Sequence, residues 1–590
     1  MNNERVIPQE GTYDLVTHSI LIDGSEIPST VEVLSLVLSR EVNKIPLARI
    51  ILKDGDPADE DFVLSSTDDF IPGKEISISI GHDSLNTVLF EGIITKHSIA
   101  FYEDKGGVLV LEARDASVKM TIGRKNKYFI EQSDSEVWET IIGEYGLIPE
   151  VEATTLTHKE LVQFYVTDWD FLVARAEANG KLVWIDQGTV FIRTPDSSTQ
   201  PVLELIYGAT MLEFEGASDA RYQYQAVKAS SWDYTNQQLL ETEGAARLQM
   251  PGNFNNDELA QVSSPSKFEL RHSGQVIEDE LQAWADACVM KSQLAKVIGR
   301  VKFDGFAEVT PGTVIKLAGL GTRFNGNAYV TAIRHEVFDG TWHTHAQFGK
   351  KPTWFHQENM IEEGLSSGII PGIQGLQIGV VSQLQDDPDG EDRILVKLPI
   401  IDVEAEGVWA RVSCLDAGEN RGSFFRPEIG DEVVVGFLNN DPRDAIVLGM
   451  LNSSNKPAPL IAQDDNHIKG FVTRSEMKLL FDDETSIITV ETPAGNKVVI
   501  SDDEQLINLT DQHGNSIMLN ADGITLDSIA DIVIRAAQNI EISATQNLTE
   551  EGGVNVELSA GVGLKAEGGA TAELTGAAST TIKGGIVQIN

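Results

Sequence analysis

The chain has 590 residues, with 45 Lys and Arg against 90 Asp and Glu, for a formal net charge of −45 at pH 7. Its 41% hydrophobic and 23% charged residues are globular proportions and exclude a chain that is wholly disordered or fibrous. So acidic a surface repels phosphate backbones and anionic membranes, so nucleic acid is not expected among its partners.

The segment Met1 to Pro8 carries Glu4 and Arg5 and no apolar run, so no secretory signal is read there. No stretch reaches the ~18 uninterrupted apolar residues of a membrane helix. The protein is therefore expected to be made in the cytoplasm and, if it leaves the cell, to be carried by another machine. Cys288 and Cys414 lack zinc-site spacing and cannot form a disulfide framework, which suits a reducing compartment.

From residue 1 to about 370, β-branched alternation such as Val31, Val33, Leu34, Leu36 and Val37 predicts mostly strands, punctuated by turns such as Asp54-Gly55-Asp56-Pro57. Three helices are expected. One starts at Ser133, with Asp134 and Ser135 as cap candidates and Val137, Trp138, Ile141 and Ile142 on one face. Another runs from Asp168 to Gly180, and a third from about Ile277 to Val297 with Leu281, Trp284, Ala285, Cys288 and Leu294 recurring on one side. The region reads as α+β, dominated by sheets or barrels.

A glycine-rich hinge, Gly364 to Gly375, leads to a segment ending near Asn455 with strands at Gln377 to Gln383, Ile394 to Leu398, Val408 to Ser413, Glu432 to Phe437 and Ile446 to Leu448. Five short strands in this length suit a small OB-type barrel.

After Phe481 no Phe, Trp or Tyr occurs, which argues against a compact core and for a thin repetitive structure. Apolar pairs two residues apart recur every eight residues: Ile524 with Leu526, Ile532 with Ile534, Ile540 with Ile542, and Val556 with Leu558. The same frame holds Leu548, Leu564 with Ala566, Ala572 with Leu574, and Thr580 with Ile582. Residues two apart share a strand face, and Gly, Asn, Asp and Ala between the pairs permit turns, so a β-helix is expected. Closed by one chain, it would be a stub with two exposed edges. Three chains each supplying one face would make a longer prism with every edge paired.

The barrel segment carries Val408-Trp409-Ala410-Arg411-Val412, then Phe425, Pro427, Gly430, Asp431 and Gly436 within Gly422 to Phe437, then Asp441-Pro442-Arg443. This pattern closely resembles the OB-fold of VgrG-type spike proteins, the family shared by type VI secretion, extracellular contractile injection systems and phage baseplates. Asp168-Trp169-Asp170-Phe171-Leu172 resembles that family's hub helix, and Thr492-Pro493-Ala494-Gly495-Asn496 with the octads resembles its needle. The resemblance implies a hub over 1–370 with two barrel-like domains, an OB-fold barrel over 371–460, and a trimeric β-helix needle over 461–590. It further implies a non-catalytic homotrimeric spike, joining an inner tube or baseplate adaptor protein to a tip, puncturing a target envelope and delivering cargo effectors. A phage tail hub-needle, or a spike carrying lytic or effector activity, is the alternative. The join from Asn452 to Phe471 is too short for an inserted enzyme.

Candidate sites are few. His343-Thr344-His345 and His335-Glu336 read as structural, since Asp339 stands where a zincin helix needs its second His. The oxygen-rich loop Asp386 to Asp392 lacks calcium-loop spacing and reads as a hairpin turn. No phosphate loop, nucleophile elbow or dinucleotide fingerprint is present, so no cofactor, metal or catalytic residue is expected. At the other end, Ile586, Val587 and Ile589 keep an apolar rhythm without a His or Cys nearby, and are expected to bind a separate PAAR-type tip protein.

Overall fold

In this computed structural model, residues 15–103, 106–263 and 267–589 are described; Met1 to Pro8 lie outside them. The chain divides into two compact units, Met1–Met450 and Leu451–Asn590.

The first unit is built on a 13-stranded sheet. Its N-terminal strands, among them Val33–Glu41, Leu47–Lys53 and Gly106–Arg114, bury alternate residues, so Leu36, Leu38, Ile50, Leu52, Leu109 and Leu111 form one core. A later group, including Val297–Asp304, Gly326–Phe338 and Thr341–Phe348, encloses a second core around Val301, Phe303, Val330 and Phe348. The two groups are joined edge to edge: Val33–Glu41 pairs antiparallel with Gly326–Phe338, from Glu41 opposite Ala332 to Ser35 opposite Phe338.

The three expected helices are present. Ser133 caps Asp134–Glu144 through a reciprocal box with Glu136, and Val137, Trp138, Ile141 and Ile142 are buried. Thr167 caps Asp168–Ala178, and the third helix spans Glu278–Leu294. Two shorter helices, Asn256–Ser263 and Phe355–Glu358, had no expectation, being too short for a helical apolar period to show.

The barrel is closed, in the order Gln377–Gln383, Ile394–Lys397, Val408–Val412, Ala445–Met450 and Glu432–Phe437, the last pairing back to the first. Val381, Ile394, Val396, Ala410, Val433, Val435 and Val447 fill it. The stretch read as a hinge is fastened to the barrel: Ser366 Oγ and the Ile373 amide both donate to the Asn440 carbonyl, at 3.0 and 2.9 Å.

The second unit opens with a seven-stranded antiparallel meander from Ile468 to Asp527. Every strand turns back on its neighbour, so within one chain these residues form hairpins, and the β-helix expected over 461–590 is not shown. The hairpins repeat every nineteen residues. Thr473, Thr492 and Asp511 begin equivalent loops, each amide donating to the carbonyl four residues on, in Met477, Asn496 and Asn515. Glu476, Gly495 and Gly514 take the left-handed turn position in those loops, with φ of 64°, 95° and 97°.

Beyond Asp527 the step shortens to eight. The backbone bends at Ile529, Ala537, Thr545, Gly553, Gly561, Gly569, Ala577 and Gly585, and the residue before each bend is Ser, Ala or Gly. Among the described residues this segment pairs with no strand of its own chain; Ser528 and Ile529 donate to Asn515, and from Ile529 onward it is exposed.

Candidate functional site

The motif residues of the barrel form a scaffold. Ala410 faces the core, so Trp409 and Arg411 on either side of it face outward, Trp409 half-buried opposite Leu395 and Arg411 exposed opposite Ile446. Phe425 is 57% exposed and Pro427 is buried. Gly430 has φ 89°, which a side chain rarely adopts, and its amide donates to the Val381 carbonyl at 2.7 Å. Asp431 closes the same turn, its Oδ2 accepting from the Glu428 amide at 2.9 Å. Gly436 sits in a strand where a Cβ would stand 3.2 Å from Leu448 Cδ1. These residues set strand entry and pairing, and they do not converge on one pocket.

The oxygen-rich loop is the hairpin turn between the first two barrel strands. Asp387 accepts from the amides of Asp389, Glu391 and Arg393 at 3.2, 2.8 and 3.2 Å and pairs with the Arg393 guanidinium at 2.6 Å. The guanidinium and these amides hold its carboxyl well below the usual range. His335 is fully buried with Nδ1 3.0 Å from Thr344 Oγ1, and burial, reinforced by Arg40 and His345, lowers it to about 3. His345 lies 3.5 Å from Glu336. Among the described residues no group of three or more His, Cys, Asp or Glu is arranged to hold a metal. Cys288 is an inert thiol, pushed by burial up to about 12.

Two closed charge networks tie the helices of the first unit together. Arg175 donates to Asp134 at 2.7 Å and to Glu280 at 3.0 Å, with His158 and Asn179 completing the partners of Asp134. Glu177 accepts from Lys291 at 2.8 Å, from Asn43 at 3.0 Å and, on its other oxygen, from the Phe355 amide at 2.7 Å.

The unusual surface is one face of the meander. Strand register puts Phe481, Ile488, Ile500, Ile507, Leu519 and Ile524 in one row across the sheet. A second row on the same face runs Phe471, Leu479, Val490, Val498, Leu509, Ile517 and Leu526. The other face carries Leu480, Thr489, Val499, Asn508, Met518 and Thr525 along its middle, with Lys478, Glu491, Lys497, Thr510, Ser516 and Asp527 beside them. The apolar rows stay accessible: Ile488 is 38% exposed, Ile500 42% and Leu526 54%. They end on Ile524 and Leu526, the first pair of the octads, so both repeats share one apolar face. The octad rhythm showed this face only from Ile524 onward; its start at Phe471 was missed, although the nineteen-residue recurrence of Phe481, Ile500 and Leu519 signals it. The proposed tip residues lie at the far end of the octads, Ile586 85%, Val587 48% and Ile589 84% exposed.

No helix among the described residues is long and apolar enough to cross a membrane. Comparison with known proteins gives two matches to families. Residues 12–339, more than half of the chain, match the family described as the Alg8 N-terminal domain, and residues 377–451 match the type VI secretion system/phage-baseplate injector OB domain. Among curated proteins, type VI secretion system spike proteins VgrG1a and VgrG1c of Pseudomonas aeruginosa are each 41% identical over 56 residues, 10% of this chain and 9% and 8% of theirs. The match thus spans under a tenth of those relatives. Among solved structures, the 43 kDa tail protein of prophage MuSo2 from Shewanella oneidensis has a TM-score of 0.45 at 10% identity, covering 57% of this chain and 98% of its own. An Escherichia coli type VI secretion component has a TM-score of 0.38 at 12% identity, covering 73% and 99%. With residues 12–339 under one family model, the chain belongs to the Alg8 N-terminal domain family, and its closed five-stranded barrel at residues 377–451 matches the type VI secretion system/phage-baseplate injector OB domain.

Proposed function

We propose that this protein is the homotrimeric spike of a contractile injection system, acting without catalysis to link an inner tube or adaptor to a tip and to puncture a target envelope for cargo delivery. The observation that carries this reading is the pair of apolar rows on one face of the meander, continuous with the octads. A side chain of this size gains ~1.5–3 kcal/mol on full burial, so a face this long is strongly favoured to find cover. One chain offers none beyond Asp527, where among the described residues the octads pair with no strand of their own chain. Three copies, each contributing one wall, would cover the face and pair the edges together. The two strand groups of the first unit, joined through Val33–Glu41 and Gly326–Phe338, give three copies six such groups, which suits docking on a sixfold tube. Mass measurement in dilute solution is expected to give three chains that do not exchange with monomer; a stable 64.3 kDa species would overturn the reading. Imaged particles are expected to hold this protein between tube and tip, and any other position would overturn the docking part.

A further inference from the structure

Let the octad positions run a to h with Ile524 at a. The apolar pairs then occupy a and c. Charged side chains between Ile524 and Lys583 fall on b, d or h, with one exception. The structure agrees that b and d share a face opposite to a and c: Lys565 at b pairs with Glu567 at d, and Thr575 Oγ1 at d donates to Glu573 at b at 2.9 Å. The exception is Glu550, at c, where other octads place Leu, Ile or Ala.

A second, independent change falls at the same place. From Ser528 to Glu551 the segment has no glycine, and its a and c positions are Ile or Leu apart from Glu550 itself. From Gly552 onward glycines recur in every octad, and Val556, Ala566, Ala572 and Thr580 take over much of the apolar face. Glycine adds conformational freedom to the unpaired chain, and smaller side chains bury less area, so each layer beyond Glu550 is held less strongly than each layer before it.

Resting on the three-chain reading above, we propose that Glu550 forms a built-in weak plane in the needle. Three copies bring three like-charged carboxylates together on the apolar axis. No Lys or Arg occupies an a or c position to pair with them. The octads on the C-terminal side of this plane open and close while those from Ile524 to Ile542 stay shut. The needle therefore has a firm base and a segment that can splay during assembly with a tip or release of cargo.

The test is hydrogen exchange on the full-length protein, with its mass measured in the same buffer. Amides from Gly552 to Ile582 are expected to exchange at least tenfold faster than those from Ile524 to Ile542. Both Glu550→Leu and Glu550→Gln are expected to slow the C-terminal set about tenfold, while Glu551→Gln, at an outward d position, leaves it unchanged. The Gln variant keeps the side chain's size, so a packing failure in the Leu variant does not decide the result. Equal protection on both sides of Glu550 in a trimer, or C-terminal exchange unmoved by both variants, would overturn the weak plane alone. A monomeric mass would overturn the spike reading and this inference with it.

Discussion

Lys291 Nζ stands 2.8 Å from Glu177 Oε1, and the two side chains are 5% and 3% exposed, so two opposite charges are held together almost out of reach of water. Asn43 and the Phe355 amide also donate to Glu177, so this one carboxylate ties its own helix to Glu278–Leu294, to the start of Phe355–Glu358 and to the loop at Asn43. Burial lowers the Lys291 ammonium, with Glu177 acting against that shift. Glu177→Ala leaves the ammonium unpaired and is expected to destabilise the first unit by about 3–5 kcal/mol, read as an earlier chemical unfolding transition. Joint replacement, Glu177→Gln with Lys291→Met, is expected to recover much of that loss. Equal losses in the single and double variants would show that packing, and not the stranded charge, sets the cost.

Acid weakens the first unit through His335. Its ordinary value is 6.5 and the folded protein lowers it to about 3, so between these the unfolded chain holds the extra proton. The stability it supports is complete above pH 6.5 and is lost as pH falls toward 3, with a slope of up to roughly 1.4 kcal/mol per pH unit. His335→Gln cannot titrate there and is expected to flatten the stability–pH curve by that amount between pH 6 and 4.5. Asp134, lowered from 3.8 by its hydrogen bonds to His158 and Arg175 in spite of burial, acts further down the scale. Parallel curves for the parent and the variant would contradict the assignment.

The apolar rows and the opposite face of the meander should respond differently to charge. Ile500→Lys, placed in the row shared by Ile488 and Ile507, is expected to shift the population from three chains toward one. Asn508→Lys, on the other face beside Val499 and Met518, is expected to leave the mass unchanged. Sedimentation at several concentrations separates the outcomes, and equal effects from the two variants would remove the distinction between the faces.

At the distal octads, Val587 takes h, where Asp531, Asn539, Asn547 and Asn555 stand, and Ile589 takes b, which elsewhere holds mainly Thr, Glu or Lys. Apolar side chains thus appear on faces that are polar through most of the segment. Charged residues at Ile586, Val587 and Ile589 together are expected to abolish co-purification with a PAAR-type tip protein while three chains still associate. Tip recruitment that survives all three changes would place that contact elsewhere.

Local signals foretold the elements that depend on local chemistry. The helix start expected at Ser133 is present, with Ser133 itself at the cap in a box with Glu136 and the cap candidates Asp134 and Ser135 inside the first turn, and the barrel strands show because each has a short apolar alternation bounded by turns. The octads were visible for the same reason. The meander was not, because each apolar row lies off the middle of its strands: Phe481 and Ile488 are close across one turn while Ile488 and Ile500 are far across the next, so no single step appears between neighbouring strands. The seam between Ser35 and Phe338 joins residues some three hundred positions apart and has no local mark at all. Glu177 likewise reads as an ordinary acidic residue between Ala176 and Ala178, and only the fold shows that Lys291 meets it.

The octads make few contacts beyond their own bends, and this decides when they can become ordered. A hairpin can form as soon as its two strands leave the ribosome, since both partners belong to one chain. A segment whose partners belong to other chains must wait for an encounter, so its ordering rate depends on concentration. On the three-chain reading proposed above, fast association therefore requires that something else hold the copies together first. With the meander as the adjoining hairpin-built element, order would spread residue by residue from Ile524 toward Val587, as a zipper closes from its fixed end.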